Sequence, residues 1–171
     1  MTNRRIHYAW MVLLDGMLVI FGALGLARFG YTLVLPSMQA GLGMDNAQAG
    51  VLATFNLAGY LTLSVIGGAL AVRFGSRTVI TVGLIVAGIG MIFTGLARGF
   101  VLVAAMRMLT GVGSGAGNDP VMGLMASWFG KRRRGMATGI AAGGSSVALI
   151  ILGSLVPAIL GRYGDDGWRV C

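Results

Sequence analysis

Charge is what this sequence has least of. Only 11% of its 171 residues are charged, against 56% that are hydrophobic, and a soluble domain of this length needs far more charge to cover its surface. The charges are not spread evenly but sit in short stretches between long apolar runs, the segregation that a bilayer imposes. Cysteine and histidine each occur once, as Cys171 and His7. A disulfide framework and a cysteine-based metal site are thereby excluded, His7 reads as an interfacial polar residue, and no cofactor is expected. Lysine also occurs once, in Lys131-Arg132-Arg133-Arg134, so the formal net charge of +8 is carried by arginine. That run lies between two spans too apolar for water, so it reads as a membrane-flanking loop and not as a nucleic-acid site.

What is present in abundance is long apolar sequence. Five stretches can cross about 30 Å of hydrocarbon at about 1.5 Å per residue: roughly 10–35, 48–71, 79–97, 100–129 and 136–160. Lipid offers no partners to backbone amides, so each is expected to be an α-helix. The first is too long for a cleaved signal, contains Asp15 and Arg28, and leads straight into further spans.

The loops then set the orientation. Arg4 and Arg5 precede the first span, Arg73 and Arg77 lie between the second and third, and the basic run lies between the fourth and fifth. The opposite loops hold Asp45, then Arg98, then Arg162 with Asp165 and Asp166. The positive-inside rule places the N-terminus and both basic loops in the cytoplasm. Trp10, Trp128 and Trp168 fall at span ends, where aromatic belts form. The tail from Arg162 is external on this count, and the chain is expected to stop before a sixth span.

Several motifs resemble one family. Gly68-Ala-Leu-Ala-Val72-Arg73-Phe-Gly75-Ser-Arg77 is similar to the loop signature G-x-L-a-D-r-x-G-r-r between helices two and three of the major facilitator superfamily. Arg107, Gly111 and Gly113 match its R-x-x-x-G-x-G pattern in helix four. Gly139 to Ser146 resembles the glycine-rich fifth helix of monocarboxylate and oxalate/formate-type members, and Gly167-Trp168-Arg169 the lead-in to helix six. The resemblance implies an all-α membrane protein, five transmembrane helices of an incomplete six-helix half, with Gly68, Arg73, Gly75 and Arg77 as the gating loop. The family's loop aspartate is Val72 here, and Ser127-Trp128 stand where many members keep an acid, so a conventional charge latch is not expected.

The same glycines do not make a phosphate loop, because no strand precedes Gly111 and no Lys-Ser/Thr follows Gly117. Gly111/Gly115 and Gly113/Gly117 instead form G-x-x-x-G pairs for close helix packing, and Pro120 is expected to kink their helix.

Ionisable groups within the spans point to function, since a charge at mid-bilayer costs several kcal/mol. They are Asp15 and Arg28 in the first span and Arg107 and Asp119 in the fourth; the interiors of the others have none. In the family the resemblance implies, helices one and four line the cavity. Arg28 and Arg107 are each expected about 10 Å from the outer end of their helix, with Asn56 and Tyr60 at a comparable level. Arg107, Thr110, Ser114 and Asn118 recur every three to four residues as one polar stripe.

The expected substrate-binding residues are thus Arg28, Asn56, Tyr60, Arg107, Ser114 and Asn118, with Asp119 and Asp15 as coupling groups. For the arginines the alternative is snorkelling or backbone anchoring, and for Asp15 an interfacial role. The expected function is gradient-driven transport of a small organic solute, an anion such as a carboxylate that guanidinium groups would pair with. Efflux of hydrophobic compounds and a non-transporting membrane scaffold or receptor are the alternatives. Membrane lipid and a C-terminal half of the same protein are the other expected partners, in a bacterial inner membrane.

Overall fold

The computed structural model describes residues 3–169, without the side chains of residues 3–7 and 164–166. Cys171, and the side chains of Arg4, Arg5, His7, Asp165 and Asp166, therefore lie outside the described residues. The first span consists of α1 (Asn3–Ile20), a π-helical segment (Phe21–Phe29) and α2 (Gly30–Leu42). There follow α3 (Asn46–Phe74), α4 (Ser76–Leu96), α5 (Phe100–Trp128), α6 (Arg134–Tyr163) and a 3-10 turn (Gly164–Arg169). No strand occurs among the described residues. With Tyr8–Leu42 taken as one, five helices are long and apolar enough to cross a membrane, as expected.

The end of the first span differs from the expected one. The first span continues past position 35 to Leu42 with Pro36 inside it, and ends only at Gly43, whose φ of 63° suits glycine. Asp45 then caps α3 reciprocally with Gln48: the Gln48 amide donates to Asp45 Oδ1 at 2.7 Å, and the Asp45 amide donates to Gln48 Oε1 at 3.2 Å. Gly75 alone separates α3 from α4, at a φ of 85° that a side chain would resist.

Helix α5 is the most buried span, and its glycines are the reason. Side chains at Gly111 and Gly115 would strike the α3 backbone at Asn56 and Tyr60, while one at Gly113 would strike α4 at Gly83 and Ala87. Gly59 and Gly83 return the approach from the other side. The paired glycines thus serve packing, as small residues do between membrane helices. Pro120 does not interrupt α5, which is one helix from Phe100 to Trp128. On the opposite flank Gly144 of α6 lies against the Met17 carbonyl of α1.

Two apolar clusters bracket the middle of the bundle. One gathers Leu13, Ile20, Val121 and Met125, and the other gathers Tyr31, Met38, Leu52 and Val103. Trp168 belongs to the second cluster, and this corrects its expected place in an aromatic belt. It is 3% exposed, whereas Trp10 and Trp128 are exposed at 46% and 40%. Arg169 folds the end of the turn onto α4, donating to the carbonyl oxygens of Gly95 at 3.3 Å and Ala97 at 3.0 Å.

Candidate functional site

Between the two clusters the helices carry polar groups that face one another. Arg28 lies in the last turn of the π-helical segment, 14 residues before Leu42, which is about 20 Å from the Leu42 end of the span. That is twice the expected distance from that helix end, because the span runs on to Leu42. Arg28 lies over the ring of Tyr60 on α3, 4.8 Å from its centroid, where the face of the ring attracts a cation.

Tyr60 is the first link of a chain. Asn118 Nδ2 donates to the Tyr60 hydroxyl at 2.9 Å and to Asp119 Oδ1 at 3.1 Å. Ser64 Oγ donates to Asp119 Oδ2. Tyr60 and Ser64 stand one turn apart on the same face of α3, and Gly111 and Gly115 let α5 come close enough for Asn118 and Asp119 to meet them. Four expected residues, Arg28, Tyr60, Asn118 and Asp119, are thus brought together. Ser64 was not among the expected residues; its i, i+4 spacing from Tyr60 is the signal that could have found it.

Arg107 has other surroundings. It is 4% exposed, donates to the Ala27 carbonyl at 3.1 Å, and lies 3.9 Å from the centroid of the Tyr31 ring. Its own carbonyl accepts from Asn56 Nδ2 at 2.8 Å. The stripe of Arg107, Thr110, Ser114 and Asn118 is buried throughout, but its hydroxyls turn back on their own helix, Thr110 to the Met106 carbonyl and Ser114 to the Thr110 carbonyl. Arg107 also borders a cavity of about 490 Å³ with Tyr31, Met38, Thr94 and Trp168, whose lining does not include Arg28. The two arginines therefore meet adjacent residues of the first span, one gripping Ala27 and the other being Arg28, without sharing a pocket.

At the end of the bundle near the α3–α4 connection, Asp15 is exposed and borders a second cavity of about 410 Å³ with Tyr8, Arg77, Thr81 and Trp128. Arg77 donates to the Tyr8 hydroxyl at 2.9 Å, and the Tyr8 ring lies 5.2 Å from that of Trp128. In the gating loop, Arg73 lies over Phe74 at 5.4 Å and Gly68 faces open space. Val72, in the place of the signature's aspartate, is 90% exposed.

The sequence is similar to known proteins. The family model of the Major Facilitator Superfamily matches residues 17–171. A probable hexose phosphate transport protein of Chlamydia pneumoniae is 29% identical over 143 residues, covering 83% of this chain and 30% of that protein. Monocarboxylate transporter 11 of Mus musculus is 27% identical over 163 residues, 95% of this chain and 35% of that protein. A putative metabolite transport protein of Haemophilus influenzae is 30% identical over 172 residues, 99% of this chain and 40% of that protein. The chain thus spans between 30% and 40% of the length of these relatives. Five apolar helices packed through glycines on a central fourth span and a family match over most of the chain agree: this is an integral membrane protein of the major facilitator superfamily, a family of transporters.

Proposed function

We propose that the chain is the front part of a secondary carrier that moves a small organic anion by alternating access. Its spans lie in a bacterial inner membrane with the N-terminus in the cytoplasm. The observation that carries this reading is Arg28, a cation about 20 Å from the Leu42 end of its span that rests on Tyr60 and is half-buried. A buried charge of this kind marks a substrate or ion path. Two of the relatives are named for hexose phosphate and monocarboxylate, both anions. Arg28, Tyr60 and Asn118 make the substrate contacts, whereas Arg107, Asn56 and Ser114 hold the wall behind them. Asp119 is the coupling group, and Asp15 with the Gly68–Arg77 loop belongs to the inner gate. Windows of α3 and α6 are the least buried, at 17% and 22%, which leaves apolar faces for lipid and for a second half of the same protein.

Uptake by the complete carrier in liposomes, with lactate and glucose 6-phosphate as probes, tests the reading. Arg28→Gln lowers uptake of the transported anion by about tenfold or more, and Arg28→Lys raises KM severalfold with kcat nearly kept, because a forked donor becomes a point charge. Normal uptake by Arg28→Gln would sink the assignment of Arg28. The largely apolar cavity beside Arg107, lined by Leu26, Val34, Met38 and Leu152, favours a second reading, efflux of an apolar compound. Transport of a hydrophobic dye with no anion uptake would select it.

A further inference from the structure

One end of the bundle gathers charge of a single sign. Arg73 and Arg77 stand around the α3–α4 connection, and Lys131, Arg132, Arg133 and Arg134 around the α5–α6 connection. All six are exposed, and among the described residues none of them makes an ion pair. Both groups also coincide with helix N-termini, of α4 at Ser76 and of α6 at Arg134, whose free amides add to the positive field. The acid at this end, Asp15, comes seven residues after Tyr8 in α1, about 10 Å further along the helix, so the rim itself is cationic. Like charges gathered in this way repel one another until a counter-charge comes from outside the chain.

A basic loop beside a span serves orientation even where it faces plain water, so a partner needs a further sign. The aromatic residues give one. Tyr8, Trp10, Phe74 and Trp128 are exposed at this same end, and amphipathic rings among cations mark the depth of lipid headgroups. The Tyr8 ring lies 5.2 Å from that of Trp128, and the Tyr8 hydroxyl accepts from Arg77 Nη2 at 2.9 Å. Arg77, Tyr8 and Trp128 thus link the first basic group to the foot of the second. The link has donors to spare. Only Nη2 of Arg77 is engaged, and Tyr8, being the acceptor, keeps its own proton free. Thr81 borders the same cavity of about 410 Å³ and bonds nothing among the described residues, whereas Thr54, Thr62, Thr94 and Thr110 bond their own helices.

We propose that this end of the bundle docks anionic phospholipid, with one headgroup phosphate held at Arg77, Tyr8 and Thr81 and the Lys131–Arg134 run gathering further headgroups beside it. Five of the six cations are arginines, whose forked donors match phosphate oxygens in pairs, and basic clusters next to a span attract anionic leaflets. Asp15 sets the floor of the site: a phosphate that moved deeper would meet a carboxylate, so the headgroup stays at the rim. Below the rim the cavity is lined by Val12, Val19, Ile80 and Leu124, which suit an acyl chain and offer a soluble phosphate nothing. Docking of this kind asks only that the chain span a membrane, and it holds whatever solute is carried.

Melting curves of the complete protein in uncharged detergent, titrated with phosphatidylglycerol or phosphatidylcholine, test the surface. Phosphatidylglycerol is expected to raise the melting point saturably and phosphatidylcholine is not, and high salt is expected to shrink the effect. Arg132→Gln combined with Arg133→Gln, in an exposed loop, lowers the affinity for phosphatidylglycerol by about tenfold or more. Arg77→Lys keeps the charge, loses the fork and weakens binding severalfold; Thr81→Val stands in if that variant does not fold. Arg162→Gln, which removes an exposed arginine at the opposite end, leaves the titration unchanged. Equal responses to the two lipids, full affinity in the double loop variant, or an equal loss in Arg162→Gln would each overturn the proposal. So would the same melting shift with glycerol 3-phosphate alone, which would make the rim a site for a soluble phosphate.

Discussion

The guanidinium of Arg107 bonds a backbone carbonyl of the first span and lies against Tyr31, with almost none of its surface exposed. Arg28 has a ring beneath it and is only half-buried. Removing the first should therefore cost folding and removing the second should cost function. Arg107→Gln is expected to lose about 2–4 kcal/mol, from a charge-assisted hydrogen bond and a desolvated cation–π contact, and Arg28→Gln less than about 1 kcal/mol. Thermal melting of the two variants in detergent measures the difference; equal melting points would remove the distinction. Arg28, Arg107, Asn118 and Asp119 were legible in the sequence because polar and ionisable groups stand out in apolar spans. Their pairing was not, since a side chain's partner depends on which helix comes alongside. Ser64 offered only its spacing from Tyr60, a weak signal because a hydroxyl in a helix ordinarily bonds its own backbone, as Thr62 does.

Helix α5 touches its neighbours backbone to backbone, so it has no slack where its glycines lie. A valine at Gly113 would have to displace the main chain at Gly83 and Ala87, an overpacking cost of about 3 kcal/mol or more. Gly123 of the same helix faces open space, and Gly123→Ala should be neutral or stabilising by about 0.5–1 kcal/mol. Melting curves that rank these two variants the other way would contradict the packing of α5 on α4. Existence of the five spans was readable because lipid imposes length and apolarity together. Their ends were less so: Pro36 reads as a stop after Leu35, yet the helix runs through it and ends only at Gly43. The π-helical segment left no signature, since Phe21 to Phe29 is as apolar as the helix on either side apart from Arg28.

At the scale of the whole molecule apolar side chains face outward from α3, α4, α5 and α6, with Leu61, Val65, Ile92, Val101 and Ile150 all more than half exposed. Such a surface suits lipid and fails in water. The basic loops predict an orientation. In the complete protein carrying Cys171→Ser, a cysteine at Asn46 is expected to react with an impermeant reagent added outside intact cells. One at Ser76 is not, and the reverse pattern would invert the topology.

The nine residues Phe21–Phe29 also act as a phase shifter in the first span. Their amides reach five residues back, as that of Gly30 does to Gly25, so each turn holds more residues than an α-turn. A helical wheel drawn through α1 by α-counting therefore slips across these residues before it reaches α2. Ala27 and Arg28 both lie inside the slip, back to back, one meeting Arg107 and the other Tyr60. Deleting a single residue here would re-phase the upper half of the span and pull both contacts out of register together, whereas most apolar exchanges would leave them in place. The length of this stretch, more than its composition, is what its neighbours depend on.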